Sequence, residues 1–315
     1  MPPAKPNLDP VILLVFNRPD ITRQLIDRLR QVRPPQVLVV ADGPRPGQPT
    51  DAENCARVRQ SIERGIDWPA TLRTHYAERN LGLRQRVASG LTWAFTQVDR
   101  AIILEDDCLP HPSFFPFCHE LLTHYQDDTR VGVIAGSNFQ PQPFACGTSY
   151  YFSRYNHCWG WATWRRAWKC FDEPMNSWPA LRDAGWLHDL FPHPLEAEYW
   201  RRTFDEVHQR QVNSWAYAWT FSCWAQNLLT ALPRVNLVTN IGIGQAATNT
   251  KGILPVQHLL PALEMPLPLT HPTTMARHGP ADAFSQQHVF GRAKDPSLRG
   301  RLMRLLKKCR RLVPV

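Results

Sequence analysis

The chain has 315 residues, 43% hydrophobic, 20% charged and 10% aromatic, with a formal charge of +9. This composition excludes disordered, collagen-like and coiled-coil chains and leaves one large globular domain or a domain with an appended subdomain. Nine Lys/Arg against the single acid Asp295 lie between Arg292 and Val315, so eight of the nine net charges belong to that tail. The nearly neutral body gives no reason to expect a nucleic-acid partner. The eight cysteines form no C-x-x-C pair and no Cys/His grouping at zinc-ligand spacing, and read as reduced thiols. The apolar run near the N-terminus spans only Val11 to Phe16, and no stretch reaches about 18 apolar residues. The expectation is a cytoplasmic protein without a leader or a spanning helix.

Val11 to Phe16 is apolar and β-branched, as in a parallel strand buried on both faces. Asn17-Arg18-Pro19-Asp20 turns the chain, with Asp20 expected to cap a helix whose apolar positions are Ile21, Leu25 and Leu29. A second strand over Val37–Val40 leads into Asp42-Gly43, and a Gly/Pro-rich loop runs to Thr50. Helices are expected over Cys55–Ile66 and Leu83–Phe95, a strand over Thr71–Tyr76, and a further apolar strand over Ala101–Leu104 that runs into Glu105-Asp106-Asp107. This β/α alternation is the opening of a doubly wound, mostly parallel sheet flanked by helices. Ligands bind such sheets beyond the carboxyl ends of the strands, where Asp42 and the three acids lie.

Ten of the twelve tryptophans fall between Trp159 and Trp224. Trp161, Trp164 and Trp168 stand at helical spacing and read as a packing stripe, while one or two others could form a platform for a sugar face. Six prolines between Ile253 and Pro280 argue for an extended segment wrapped over the body. In the tail, Leu298, Leu302, Leu305, Leu306 and Val313 alternate with Arg301, Arg304, Lys307, Lys308 and Arg311 as in a basic amphipathic helix. Such a helix could rest on an anionic membrane surface, which would place the protein peripherally on the inner face.

The acidic turn is the most informative feature. Strand alternation would send Glu105 and Asp107 to one face and Asp106 to the other. Hard carboxylate oxygens at a strand end suit Mg²⁺ or Mn²⁺, which take further oxygens from a substrate diphosphate. That chemistry serves a reaction in which a nucleoside diphosphate leaves.

On these residues the chain resembles the nucleotide-diphospho-sugar glycosyltransferases of the GT-A (Rossmann-like) fold, close to the family 2-like, hemolysin-related bacterial group. It is more distantly similar to N-acetylglucosaminyltransferases that carry the same E-D-D form of the D-x-D motif. The matching stretches are Phe16-Asn17-Arg18-Pro19, Asp42-Gly43, Asn80-Leu81-Gly82, Leu104 to Asp107, Trp159 to Trp164 and Asn236 to Gly242. The resemblance implies that Asp42 meets the nucleobase, that Glu105 and Asp106 hold the ribose region and that Asp107 is the metal ligand. It further implies a UDP-sugar as the donor. Arg18, Arg79 and Arg84 flank two strand ends and could contact the diphosphate as charge-assisted donors. His157, beside the Gly160 turn, reads as a structural histidine or as a diphosphate or acceptor contact.

The chain departs from the resembling group at Trp215-Ala216-Tyr217-Ala218-Trp219, where Ala216 replaces the expected acceptor-side aspartate. Asp205 and Glu206 are the candidate bases, with Glu198 and Asp172 nearby. The expected organisation is a catalytic domain over 1–250 (donor half about 10–140, Trp-rich acceptor half about 150–250), a Pro-rich wrap over 251–291 and a basic tail over 292–315. The expected activity is metal-dependent, inverting transfer of a sugar from a nucleotide-diphosphate donor to a glycan or lipid-linked acceptor. The alternatives are a nucleotide-sugar-binding protein with little turnover, or a sugar nucleotidyltransferase. Asn17-Arg18-Pro19-Asp20 lacks the Gly-rich basic loop usual in the last class.

Overall fold

A computed structural model describes residues 8–142, 144–242 and 260–291. The basic tail expected over 292–315 and the first part of the Pro-rich segment lie outside these residues.

Four segments of mainly apolar, β-branched sequence form the heart of the sheet, β1 (Val11–Val15), β2 (Gln36–Ala41), β4 (Arg100–Glu105) and β6 (Val131–Ala135), and the more polar β3 (Thr71–Tyr76) forms one edge. With β7 (Tyr150–Ser153), β8 (Trp161–Trp164) and β9 (Leu229–Pro233) they make eight strands in the order β3-β2-β1-β4-β8-β6-β9-β7. Strands β1 to β4, β6 and β9 share one direction, while β7 and β8 run against it. The expected mixed α/β architecture with a large, mostly parallel sheet is therefore present.

Alternation along each strand feeds two apolar layers. Val11, Leu13 and Val15 of β1 face one core, which holds Leu25, Ile26 and Leu29 of α1 (Pro19–Val32), Val58 and Ile62 of α2 (Pro49–Gly65) and the phenylalanines of α4 (Phe114–His124). Ile12 and Leu14 face the other, which holds Val87, Leu91 and Ala94 of α3 (Leu83–Gln97) and the tryptophans of the second half. Helix α3 packs so closely on β2 that a Cβ at Gly90 would lie 2.1 Å from a Val40 methyl. Because α1 and α2 cover one face and α3 the other, the chain reverses its winding between β1 and β4. The carboxyl ends of those two strands are the switch point, where such sheets leave a crevice.

Three local expectations are corrected. Asp20 does not cap α1: Pro19, which needs no N–H partner, takes the first turn, so Arg18 becomes the N-cap and Asp20 is exposed. Trp161 and Trp164 sit on a strand, so they enter opposite cores, and only Trp161 meets Trp168 of α5 (Arg165–Trp168), at 6.3 Å. They do pack, but the apparent helical spacing arises across a strand-to-helix junction. The C-terminal segment is extended over 260–277, where Met265 N donates to Ser113 and Thr270 N to Ser149, but then folds into α10 (Gly279–Ser285) and a π-helical turn (Gln286–Phe290). Pro280 is tolerated there because it occupies the first turn, with His278 as the cap.

Helices α6 (Trp178–Asp183), α7 (Trp186–Leu190), α8 (Pro194–His208) and α9 (Trp215–Ala225) bury most of the tryptophans in the second core. No helix of the described residues is long and apolar enough to cross a membrane.

Candidate functional site

A cleft of about 380 Å³ opens at the switch point. Its walls come from the connections after β1 (Phe16, Arg18) and β2 (Asp42, Arg45), from the end of β4 and the turn after it (Glu105, Asp106, Asp107), from Asn80, Gly82, Leu83 and Arg86 at the start of α3, and from Trp159 and Asn213. A short antiparallel ribbon closes the floor, with β5 (Cys108–Pro110) pairing β10 (Val238–Asn240) so that Asn240 stands opposite Cys108. Ile241 N then donates to the Asp107 carbonyl at 2.8 Å, which holds Gly242 against the acidic turn. A Cβ at Gly242 would lie 2.3 Å from an Asp107 oxygen and 2.6 Å from Arg18 Nη1, so only glycine fits this approach.

All three acids reach the cleft, and the pleat argument that separated Asp106 from its neighbours fails because β4 ends at Glu105. Arg18 spans the next two, donating through Nη2 to Asp106 at 2.6 Å and through Nη1 to Asp107 at 3.1 Å. Burial, then the charges of Asp107 and Asp106, push the Glu105 carboxyl well above the usual carboxylate range, and burial likewise raises Asp106 against the pull of Arg18. The second Asp106 oxygen is buried without a hydrogen-bond partner. An orphaned carboxylate oxygen within a cluster short of positive charge is the environment that a cation relieves. No group of three or more His, Cys, Asp or Glu at metal-ligand spacing occurs among the described residues. The turn therefore fits a divalent ion only as a partial site, whose remaining ligands are water and phosphate oxygens, as is usual for Mg²⁺.

Asp42 has a different occupation from the one the resemblance implies. Its carboxylate accepts from Gly43 N at 2.9 Å, Leu81 N at 2.9 Å, Gly82 N at 3.0 Å and Asn80 Nδ2 at 3.0 Å, two donors to each oxygen. Its acceptor sites are filled by the protein, so it shapes the cleft by clamping the Asn80-Leu81-Gly82 turn and has little left to offer a base. Gly43 carries the other half of that contact, since a Cβ there would strike the Arg79 backbone at 2.5 Å.

Of the three arginines named from the sequence, only Arg18 lines the cleft. Arg79 is exposed and does not line the cleft, and Arg84 points away from it. Arg84 bonds Glu173 at 2.5 Å and the Val207 carbonyl at 2.8 Å, tying α3 to the helical half. The sequence reading missed Arg86, which lines the cleft two residues further along α3, holds His75 Nδ1 at 3.0 Å and leaves its buried Nε unpartnered. Helical geometry supplies the signal: residues two apart on a helix point to different sides, so Arg84 and Arg86 cannot share one role. Arg45 stays on the rim, bonded to Asp51 at 2.6 Å with its guanidinium 5.4 Å from the Phe16 ring centre; that bond holds the Asp51 carboxyl down at about 2.

The expected bases are not in the cleft. Asp205 accepts from Trp178 Nε1 at 3.0 Å and pairs with Arg201 at 2.6 Å, while Glu206 lies 3.9 Å from Arg202 on the same helix. Glu198 pairs with Arg201, and Asp172 accepts from Ser177. All four belong to the ion pairs and caps of the helical half, as is common for carboxylates on an amphipathic helix. His157 is buried against Phe139, with ring centres 4.5 Å apart, and is a core histidine as its structural reading had it.

No protein-family model and no curated protein matches the chain. Comparison with solved structures finds inositol-1-phosphate CTP transferase from T. maritima, with a TM-score of 0.37 and 12% identity over 81% of this chain and 96% of that one. It also finds a UDP-glucose pyrophosphorylase bound to UDP-glucose (TM-score 0.32, 11% identity, 53% of this chain and 80% of that one). A third is the 4-diphosphocytidyl-2C-methyl-D-erythritol synthase of Anaerococcus prevotii (TM-score 0.32, 8% identity, 51% and 73%). The expected membership of a glycosyltransferase family is corrected accordingly: these structures are nucleotidyltransferases, and no family model supports the earlier assignment. At such scores the likenesses do not reach the reaction, which has to be argued from the residues of the cleft.

Proposed function

We propose that this protein is a divalent-metal-dependent sugar nucleotidyltransferase, joining a nucleoside triphosphate to a sugar phosphate with release of pyrophosphate. One observation carries the reading: among the described residues the only carboxylates lining the cleft are Asp42, already saturated, and the acids of the 105–107 turn, and no histidine lines it. A hydroxyl acceptor needs a base to take its proton as it attacks. A sugar phosphate does not, because its oxygen is already ionised at neutral pH and phosphoryl chemistry needs mainly positioning and charge neutralisation. Ala216 in place of an acceptor-side aspartate, and Asp205 and Glu206 locked in ion pairs outside the cleft, support the same choice.

In the step proposed, a phosphate oxygen of the sugar phosphate forms a bond to the α-phosphorus, and the bond from that phosphorus to the α,β-bridging oxygen breaks. The leaving pyrophosphate keeps the electron pair. Asp106 and Asp107 would hold Mg²⁺ or Mn²⁺, which when bound offsets the charge on the phosphates. Arg18 and Arg86 supply positive charge at the cleft wall, and Asp42 presents the Asn80–Gly82 turn to the nucleoside. The apolar stretch formed by Leu14, Val40, Leu83 and Val87 suits the face of a base.

The reaction is tested by incubating the protein and Mg²⁺ with sugar 1-phosphates and each nucleoside triphosphate in turn, and assaying pyrophosphate. Release of pyrophosphate with one triphosphate, and its reversal from the matching nucleotide sugar, is expected. Release of nucleoside diphosphate from a nucleotide sugar and an acceptor, with no pyrophosphate from any triphosphate, would overturn the reading.

A further inference from the structure

The Arg18 guanidinium occupies the place between Asp106 and Asp107 where a cation would be most stabilised, within 2.6 and 3.1 Å of their oxygens. We propose that Arg18 is an internal counter-cation. It holds the two carboxylates in the ligand-free protein, yields them to the divalent ion that arrives with the nucleotide, and passes its own charge to the phosphates. The inference rests on the metal–nucleotide reading above and adds the order in which charges exchange.

The two partners differ in their freedom to move. Asp106 is buried, its N–H donates to the Leu14 carbonyl at 3.0 Å, and Asp107 is held through the bond from Ile241 N. Arg18 has its backbone fixed, with its carbonyl accepting from Thr22 Oγ1 at 2.8 Å, but its side chain is 21% exposed and enters the cleft from the edge. A long side chain on a fixed root can swing well clear of the acids by rotamer changes alone, whereas the short acid side chains on their fixed backbone have much less reach.

The charge balance points the same way. Three acids share a single bonded guanidinium, since Arg45 is paired with Asp51 and the bonds of Arg86 go to His75, which leaves its charge at the cleft wall without a bond to the acids. Arg18 satisfies one Asp106 oxygen and leaves the buried Oδ2 unpartnered, so a monovalent, planar donor is an incomplete solution. A free divalent ion must displace Arg18 without anything to receive it; with nucleotide present, the phosphates receive the guanidinium as a bidentate partner.

Metal affinity reads this exchange directly. Mn²⁺ binding is measured by electron paramagnetic resonance on wild type, Arg18→Gln and Arg18→Met, with thermal unfolding as the check of folding. Without nucleotide, both variants should bind Mn²⁺ at least tenfold more tightly than wild type, because the competing cation is gone. With Mn²⁺ and the preferred triphosphate, both should bind the nucleotide at least tenfold more weakly. Unchanged or weaker Mn²⁺ affinity in a folded variant, alongside metal-dependent nucleotide binding by wild type, overturns the exchange and leaves the proposed function standing. Wild type that binds no nucleotide with either metal overturns both.

Discussion

Replacing Asp42 with alanine removes one acceptor from four donors at once, three of them main-chain N–H groups. Each donor left unpaired out of water costs on the order of 1–3 kcal/mol, and partial hydration of the turn should hold the total to about 2–4 kcal/mol. Equilibrium denaturation should show that loss together with weakened nucleotide binding; a variant with unchanged stability would mean that the turn is held by something else. Asp107→Ala should behave differently, abolishing metal-dependent nucleotide binding while the unfolding midpoint stays near wild type. Asp205→Asn should leave turnover within about twofold, in contrast to what its position in the sequence suggested. Burial pushes His157 down to about 3. Its folded form therefore resists protonation while the unfolded chain accepts a proton near 6.5. The unfolded state binds more protons between those values, so stability is present above about pH 6.5 and falls as pH drops below it, by up to about 1.4 kcal/mol per pH unit. His157→Gln should flatten that part of the stability–pH curve, and an unchanged slope would assign the loss to other groups.

At the scale of elements, the strands and helices up to Glu105 are legible because each has one job and a plain pattern, although α2 begins at Pro49, ahead of the expected Cys55, and takes in the end of the expected loop. Thr71–Tyr76 is predicted and found with the same bounds, and α3 starts at Leu83 as predicted and runs two residues past Phe95. Legibility declines where a segment changes type midway. Trp161 to Trp168 crosses a strand-to-helix junction, so a regular spacing in sequence corresponds to no single face. Gly90→Ala isolates one packing contact, because the added methyl would meet Val40 on β2. Overpacking of this kind costs about 1–3 kcal/mol, which denaturant titration would detect as a lower midpoint with the same slope. The ribbon of β5 and β10 joins residues more than a hundred positions apart, and only this pairing brings Gly242 to the acidic turn.

For the whole molecule, the cleft exists because winding reverses between β1 and β4, and the charged residues placed there lie at or just after strand ends or in the first turn of α3. The acidic turn was visible in the sequence because three acids after an apolar strand are rare and chemically pointed. Its use was not visible, since Arg18 lies 88 positions from Asp106 and the bond between them forms only when β1 and β4 become neighbours. Thermal unfolding with triphosphates should show stabilisation of about 2.7 kcal/mol at a hundred times the dissociation constant. Chelator should abolish it, and a shift that ignores the metal would sink the partial-site reading. By itself, the sequence determined the alternation of strands and helices, the double burial of the sheet and the strand ends that carry acids, because those depend on local pattern. Only the tertiary structure decided that Asp42 is spent on a turn, that Arg84 faces away while Arg86 faces in, and that Asp205 and Glu206 lie outside the cleft. Those outcomes depend on which donors and cations packing brings within about 3 Å of a carboxylate, a distance that sequence spacing does not encode.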